Sequence, residues 1–493
     1  MYIGIDLGTS SVKILLMAKN GQIIDETTEE YPVYYPKANW AQQIPEDWWQ
    51  GTLKALKALL EKNQSVKAQI KSISFSGQMH GMVALDQQGQ VLTPAIIWCD
   101  QRTALECDEI TTHFGQNKLS ELVGNKALTG FTAPKILWLK KNHPEVFEKV
   151  AMYLLPKDYI NYKLSGNFAT DLSDASGTLL LDVKNKCYSK QLLEFVGINV
   201  NQLPKLYESY DVTGKLSDTL KVELGINQDV LIVAGAGDQA AGAIGTGTVS
   251  EGVVSVTLGT SGVVFAAHDH YKVDGQNRLH AFCHASGRYH TMGVMLSAAS
   301  CLKWWADEVA VSEIDGLLDE MNDAVTEVIF LPYLLGERTP YPDPDARGTF
   351  IGMDMNTGRK EMTKAVLEGV AFGLKDSLDI IKDMGLPIDE IRIIGGGAKS
   401  HKWRQILADV FGQTIVGINT NQGGALGAAI LAAVGDGAYT DVDAATAAII
   451  KVVDSVEPDM SQHEKYQEKH QNFMALYQHL KPYFEKVQEK VDV

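Results

Sequence analysis

The chain contains one device twice. Residues 2–7 read YIGIDL, an alternating apolar run with a single acid in it, and after the tight turn Gly8-Thr9-Ser10 the apolar pattern resumes over 12–17. Residues 253–258 read VVSVTL, the turn Gly259-Thr260-Ser261 follows, and the apolar pattern resumes over 263–267. Each stretch has the pattern of a β-hairpin. The shared tetrapeptide L-G-T-S recurs about 250 residues apart, which reads as an internal repeat rather than two accidental turns. A chain of 493 residues is also too long for one core. The expectation is two similar α/β halves, each opening on its own hairpin.

The turn chemistry suits phosphate. Glycine lets the backbone approach an anion closely, exposed N–H groups form an anion nest, and the Thr and Ser hydroxyls add donors. Asp6, at the end of the first strand, would face those phosphates. That makes sense with a cation between them and points to Mg²⁺ held partly through water. A carboxylate that only braces the turn explains Asp6 equally well.

A second acid stands in a comparable place. Residues 231–245 read LIVAGAGDQAAGAIG. The apolar run 231–234 looks like a buried strand, Gly235 and Gly237 permit a sharp turn, and Asp238 opens a small-residue helix. One carboxylate thus sits at the carboxyl end of a strand, where open α/β sheets hold ligands. Taken alone, an Asp before an alanine-rich run is ordinarily a helix cap.

Other strand ends are polar too. Residues 70–75 predict a strand running into Ser76-Gly77-Gln78-Met79-His80-Gly81, and residues 95–98 one running into Cys99-Asp100-Gln101-Arg102. Donors and acceptors together at a strand tip suit a polyol. A lone His there is also an ordinary structural residue, and Trp98 fits either a sugar face or a core. Residues 391–394 lead into Gly395-Gly396-Gly397-Ala398, which leaves room for a ribose or flat ring, or makes a tight turn. After Pro45 an amphipathic helix is predicted with Trp48, Trp49, Leu53, Leu56 and Leu60 as its buried face. Helices are predicted over 362–381, 403–410 and 422–433, the last rich enough in small residues to pack closely on a neighbour. Residues 103–230 read as an insertion or lid layer, 331–348 as an ordered loop, and the tail from 464 as a charged surface helix without chemistry. The absence of GxxxxGK[ST] excludes a P-loop enzyme.

Composition narrows the classes. With 45% hydrophobic and 21% charged residues the chain is an ordinary globular one, and its net charge of −17 opposes nucleic acid and anionic lipid. The five cysteines are scattered without CxxC spacing, so neither a disulfide framework nor a zinc site is expected, and a reducing cytoplasm fits. No signal peptide or membrane span is expected.

Taken together, IGIDLGTSSVK, SGQMHG, IIWCDQR, GFTAPKILW, LLPKDYI, TDLSDASGT, GDQAAGAIG, LGTSG, LPYLLGERTP and GGGA resemble the FGGY family of carbohydrate kinases, in the family's order, over residues 1–435. The resemblance implies an α/β fold of two ribonuclease-H-like (actin-like ATPase) domains with a catalytic cleft between them. The first, 1–245, would bind sugar; the second, 246–493, would bind ATP. It implies ATP-dependent phosphorylation of a ketopentose, D-xylulose, at its terminal hydroxyl, with ribulose, glycerol or gluconate as alternative substrates and a non-catalytic sugar sensor or an actin-like filament protein as more distant readings. Asp238 matches the general base, and Asp6 matches the acid on the metal and phosphate side. Met79 and His80 match the sugar-contacting pair, with Trp98, Asp100 and Gln239 near the sugar by position. Thr9, Ser10 and Lys13 match the first phosphate loop, Gly259, Thr260 and Ser261 the second, and Gly396, Gly397 and Ala398 the adenosine-side turn. The implied partners are ketopentose, ATP and Mg²⁺, with a homodimer compatible and neither nucleic acid nor membrane expected. Where the family usually shows a Glu and an Asp in the segment 40–45, this chain has Gln42 and Ile44.

Overall fold

The computed structural model describes residues 1–321 and 324–488 and carries the duplication through to its topology. In the first lobe Tyr2–Leu7, Ser11–Met17 and Ile23–Glu30 form an antiparallel meander. Ser72–Gly77 and then Leu231–Val233 add in parallel on the far side of Tyr2–Leu7. In the second lobe Gly252–Leu258, Gly262–His268 and Tyr289–Met295 form the meander, and Ile388–Ile394 and Ile415–Ile418 add in parallel. Both sheets therefore run third, second, first, fourth, fifth strand across. Val212–Lys215 extends the first sheet at its edge, and His280–Cys283 and Val452–Val456 extend the second. This is the two-lobe α/β architecture expected from the repeated hairpin.

Alternation along the strands decides what each face touches. Ile3, Ile5 and Leu7 join Trp48, Leu56 and Leu59 of the helix Pro45–Lys62 in one core. The opposite face carries Tyr2, Gly4 and Asp6, and there Tyr2 joins Ala425, Ala429 and Ile430 of the helix Gly423–Gly435. That helix comes from the second half of the sequence yet lies on the sheet of the first lobe. The contact is backbone to backbone. A Cβ on Gly4 would stand 2.0 Å from the Ala425 carbonyl oxygen, and one on Gly427 would stand 1.8 Å from that of Ala241. The close packing predicted for this small-residue helix is thus against both the first strand and the helix Asp238–Thr246.

Two expectations need correction. Residues 103–230 do form a mostly helical layer, but Val212–Lys215 leaves it to join the main sheet of the first lobe. As expected of an insertion layer rather than a new domain, its core is shared: Ile110, Ile136 and Tyr153 cluster with Met79 and with Phe265 and Phe282 of the second lobe. The tail is a helix, Met460–Gln488, but not a purely surface one. Tyr466, His470, Phe473, Tyr477 and Phe484 are buried. They recur at helical spacing, so a charged sequence still hides one packed stripe. His470 donates to Asp376 at 2.7 Å, and Lys469 pairs with Glu368 inside the same lobe. Among the described residues no helix is long and apolar enough to cross a membrane.

The helix Pro45–Lys62 starts at Ile44, whose side chain makes no capping bond. The departure from the family pattern therefore leaves an N-terminus uncapped. Ile44→Asp is expected to stabilise the protein by about 1 kcal/mol, measurable as a raised urea midpoint. Gly427→Ala, by driving a methyl into the Ala241 carbonyl, is expected to cost about 1–3 kcal/mol and several degrees of Tm. Gly242→Ala, on the partner helix where a Cβ meets nothing within 4 Å, is expected to leave Tm unchanged or raise it. Equal behaviour of the two alanine variants in a thermal melt would refute the tight crossing.

Candidate active site

Three strand ends converge at the junction of the lobes. Asp6 pairs in register with Ser76, and Ser76 with Ala236 of the two-residue strand Ala236–Gly237. The register slips by one residue between Ile232↔Ile73 and Ala236↔Ser76. Gly235 sits in that slip with φ 79°, where a Cβ would lie 2.4 Å from the Phe75 carbonyl oxygen. Only glycine meets both demands, and a bulge of this kind re-aims the residues that follow. Asp238 is the first residue of its helix and Gly237 the cap, so Asp238 is not the cap its local sequence suggests.

Two carboxylates are thereby pressed together. Burial, with the negative charge of Asp6 as second cause, lifts the Asp238 carboxyl to about 7. Asp6 is also pushed up by burial, against the opposing pull of Ser76 and Lys13. The Ser76 hydroxyl donates to Asp6 Oδ1 at 2.7 Å. A Cβ on Gly424 would be 3.0 Å from each Asp6 oxygen, so Asp6 abuts the N-terminus of the helix Gly423–Gly435. Lys13 donates to Gln422 just before that helix and pairs with Glu26 at 3.0 Å.

Met79 packs against Gly237, the residue before Asp238, and His80 follows Met79 in the chain. The Met79 thioether is packed so that a Cβ on Gly237 would meet its sulfur at 2.9 Å. His80 has φ 70°, and its Nδ1 lies 2.7 Å from the Gly177 carbonyl oxygen. A carbonyl only accepts, so Nδ1 carries the proton and Nε2 is left as an acceptor. Burial holds the ring neutral, with its pKa down at about 3. The glycines bracketing this turn explain why the sequence motifs occur together. A Cβ on Gly77 would strike Lys157, one on Gly81 Pro156, and one on Gly177 the His80 ring.

Each L-G-T-S turn is closed by a bond from its glycine amide to a carbonyl, three residues on in the first and two in the second. The Gly8 amide donates to the Ser11 carbonyl at 2.9 Å, and the Gly259 amide to that of Ser261 at 3.1 Å. Among the described residues, the amides of Thr9, Ser10, Thr260 and Ser261 have no backbone acceptor, which leaves them available for an anion. The Gly8 carbonyl is held by the Tyr31 hydroxyl and by Gln78 Nε2, and the Thr9 carbonyl by Gln43 Nε2 at 2.8 Å. Beyond the second turn opens a cavity of about 1000 Å³, lined by Leu258, Gly259, Thr260, Gly396, Gly397 and Trp403 among others. A methyl added to Gly396 would meet nothing within 4 Å, whereas Ala398 packs against the core behind it.

The remaining expected sugar contacts divide. Gln239 follows Asp238 directly, half-buried, and its hydrogen bonds help to oppose the rise of the Asp238 pKa. Trp98 is not core: it is 38% exposed, and its Nε1 donates to Thr9 Oγ1 at 3.0 Å, on the phosphate turn. Asp100 is corrected. It is fully buried, Arg102 donates to both of its oxygens, and the Ala41 amide donates to Oδ2 at 2.6 Å. Its carboxylate is consumed in holding Arg102 and the chain at Ala41. Gln42, where the family has a carboxylate, offers Arg102 only a long bond of 3.4 Å.

Residue-by-residue reading of the sequence misses the support behind Asp238. Lys157 Nζ is buried between Asp158 at 2.7 Å and Asp171 at 2.9 Å, with Asp174 at 3.6 Å. Asp171 accepts from the Ser173 hydroxyl, whose oxygen in turn accepts from the Gly237 amide at 3.1 Å. The short turn Leu172–Ser176 and its following glycine thus hold both the peptide before Asp238 and the ring of His80. The signal is present as acids inside otherwise apolar stretches of LLPKDYI and TDLSDASGT.

With this geometry in place, comparison with known proteins is decisive. The model of the FGGY family of carbohydrate kinases matches over residues 1–245 for its N-terminal domain and 254–435 for its C-terminal domain. The chain belongs to the FGGY family of carbohydrate kinases. Its relatives include the xylulose kinase of Escherichia coli strain K12, 40% identical over 98% of this chain and 99% of the relative. The crystal structure of a xyloylose kinase from Brucella ovis superposes with a TM-score of 0.93 at 36% identity, covering 98% of this chain and 99% of the other. A gluconate kinase from Lactobacillus acidophilus superposes with the same TM-score and coverage at 26% identity. The FGGY fold therefore does not by itself choose the sugar.

The raised Asp238 pKa has a consequence for stability. An unfolded Asp ionises near about 3.9, whereas Asp238 in this kinase keeps its proton to about 7. Between those values the folded state binds more protons, so the Asp238 contribution falls as pH rises. Asp238→Asn is expected to raise Tm by several degrees at pH 8 and not at pH 4. An unchanged Tm at pH 8 in scanning calorimetry would contradict the burial of this charge.

Proposed function

We propose that this kinase transfers the γ-phosphate of ATP to the terminal hydroxyl of D-xylulose. The observation that carries the chemistry is Asp238, a buried carboxyl at about 7 that directly follows Gly237, the residue packed against Met79. A general base works best when its pKa lies near the working pH, where it is largely ionised yet still basic. The choice of sugar rests on the whole-length likeness to xylulose kinases and on the Gln78-Met79-His80 turn. The gluconate kinase structure, equally close in fold, is the more distant in sequence.

Each residue has a role in this reading. Asp238 accepts the proton of the attacking hydroxyl as the new P–O bond forms. His80 Nε2 accepts a hydrogen bond from a sugar hydroxyl, Met79 packs on the sugar, and Gln239 contributes a polar contact from the next position. The free amides of Thr9, Ser10, Thr260 and Ser261, with Lys13, hold phosphate oxygens from both lobes, where preorganised donors offset developing charge. The cavity bounded by Gly259, Gly396 and Gly397 takes the adenosine. Asp6 is a hard oxygen donor with only one oxygen taken by Ser76, a donor set that fits Mg²⁺, which favours one or two carboxylates alongside phosphate and water. Held by Asp6, the ion would neutralise phosphate charge. Closure of two lobes around this cleft excludes water, the competing acceptor.

In a coupled ADP-release assay, D-xylulose is expected to be the preferred acceptor over ribulose, glycerol and gluconate. Asp238→Ala is expected to lose roughly 10²–10⁴-fold in kcat with ATP still bound, and the wild-type rate to fall on the acid side of about pH 7. Comparable turnover by Asp238→Ala, or no stimulation of ADP release by any sugar, would refute the assignment.

A further inference from the structure

Near His80 and its neighbour His280 two cations stand without a direct partner. Lys126 comes from the first lobe and Arg338 from the second, and both are half-buried. Among the described residues neither side chain has a hydrogen bond or an ion pair. Each has one acid within electrostatic range, Asp274 for Lys126 and Glu337 for Arg338, but neither acid pairs with it. Asp274 accepts from the Arg278 guanidinium through both oxygens, at 2.9 and 2.8 Å. Glu337 Oε1 accepts from the amides of Leu296 and Arg338 at 3.0 and 2.7 Å, its Oε2 has no partner, and burial lifts its carboxyl to about 8, so that it is largely neutral at pH 7.

Both cations are fixed in place by their neighbours. Asn125 exchanges bonds with the backbone of Ala281, its Nδ2 donating to the carbonyl at 2.9 Å and its Oδ1 accepting from the amide at 3.2 Å. This sets Lys126 against the strand His280–Cys283. The Thr339 amide donates to the Val294 carbonyl at 3.0 Å, and the Thr339 hydroxyl accepts from the Val294 amide at 3.1 Å. This sets Arg338 against the adjacent strand. Between them lie Phe131 and three rings in mutual contact with it: His80 at 4.9 Å, His280 at 5.8 Å and Phe282 at 6.1 Å. Arg338 acts electrostatically on both histidines and on Lys126, and burial keeps both histidines neutral. Lys126 and Arg338 thus stand without a paired acid, whereas Lys135, a third cation near His80, is held by the His80 and Gly130 carbonyls; the chain as a whole has a net charge of −17.

Leaving two cations partly desolvated without a counter-charge is unfavourable unless something anionic takes the place. We propose that Lys126 and Arg338 form an anion subsite next to the sugar-reading His80 that takes the carboxylate of an acyclic sugar acid, so that this cleft binds five-carbon aldonates as well as a neutral ketose. The inference rests on reading the Met79, His80 and Asp238 region as the sugar site. An aldonate is the fitting class because it joins a polyol chain, for His80 and Asp238, to a terminal carboxylate, for the cations. A forked guanidinium from one lobe and an ammonium from the other would then grip one carboxylate and draw the lobes together.

Calorimetric titration of the full chain tests this with D-xylonate, xylitol, acetate and D-xylulose. Xylitol has the same carbon chain without the charge, and acetate has the carboxylate without the polyol. D-xylonate is expected to bind about tenfold or more tighter than xylitol, acetate to bind far more weakly than either, and Arg338→Gln or Lys126→Gln to abolish most of the preference for xylonate over xylitol. Xylonate binding no tighter than xylitol in the wild-type chain would overturn the proposal. So would a preference that survives both substitutions, or acetate binding as tightly as xylonate. If D-xylulose binds and xylonate does not, this inference alone fails. If D-xylulose fails to bind as well, the sugar-site reading fails with it.

Discussion

The site depends on three pieces of backbone that touch without side chains between them. The strand Tyr2–Leu7, the helix Asp238–Thr246 and the helix Gly423–Gly435 meet at Gly4, Gly245 and Gly427, where a single methyl would lie 1.8–2.1 Å from a carbonyl oxygen. Such an approach gives up the apolar burial that larger residues would provide and exposes the chain to the entropy cost of glycine. What it gains is position. Two helix N-termini and one strand end are brought to the same spot, and each carries or abuts a carboxylate. The lobes cannot be separate bodies in this region, because the helix that covers the first sheet belongs to the second half of the chain.

The electrostatics follow from that crowding. Burial raises the cost of ionising both Asp6 and Asp238, and the charge of Asp6 adds to it at Asp238. The helix dipoles and the Ser76 hydroxyl offset part of this, and the phosphate-side cation would offset more. Asp238 is left as a base that is only just ionised at neutral pH. The burial that raises its pKa also makes its ionised form destabilising, so a neutral residue there is expected to fold better. Behind it, Lys157 neutralises part of a cluster of three acids, and Ser173 passes that anchorage to the Gly237 amide. Asp238 is thus aimed by a bulge and a short turn.

Much of this is legible in the sequence, for reasons that differ from element to element. The hairpins are legible because their turns are glycine-dependent and their strands alternate over six or seven residues. The helix Gly423–Gly435 is legible as a tight-packing one, since only close approach explains so many small residues. Its partner is not, because nothing in a helix's own composition says which lobe it will cover. Asp238 stands out from its place after a strand and two glycines, but local sequence makes it a cap, since the bulge at Gly235 shifts the helix start by one residue and no local signal marks a bulge. Asp100 looks like a site residue because it stands at a polar strand end. Whether such a residue faces ligand or an arginine two positions on is a question of side-chain direction, which spacing does not carry. The buried stripe of the tail helix is hidden by its charge, though Tyr466, His470, Phe473 and Tyr477 recur at helical spacing. Arg338 and Lys126 give no signal, because a cation in a loop is ordinarily solvated and only the three-dimensional neighbourhood reveals that its acids are taken.

The duplication finally explains the division of labour between the lobes. Superposing the repeats on L-G-T-S sets Asp6 against Thr257 and Lys13 against Val264, and the parallel neighbour of each places Ser76 opposite Ile394. One copy kept the charged strand end; the other replaced every ionisable member with a neutral one. Two acidic hairpins facing one set of phosphates would repel it from both sides, at a distance where like charges in a partly dry cleft cost several kcal/mol. The neutral copy can instead back the roomy cavity beside Gly259, where a base and ribose need surface rather than charge. Sequence symmetry therefore sets the frame, and in the proposed reading the loss of charge on one side of it leaves room for a single nucleotide across both halves.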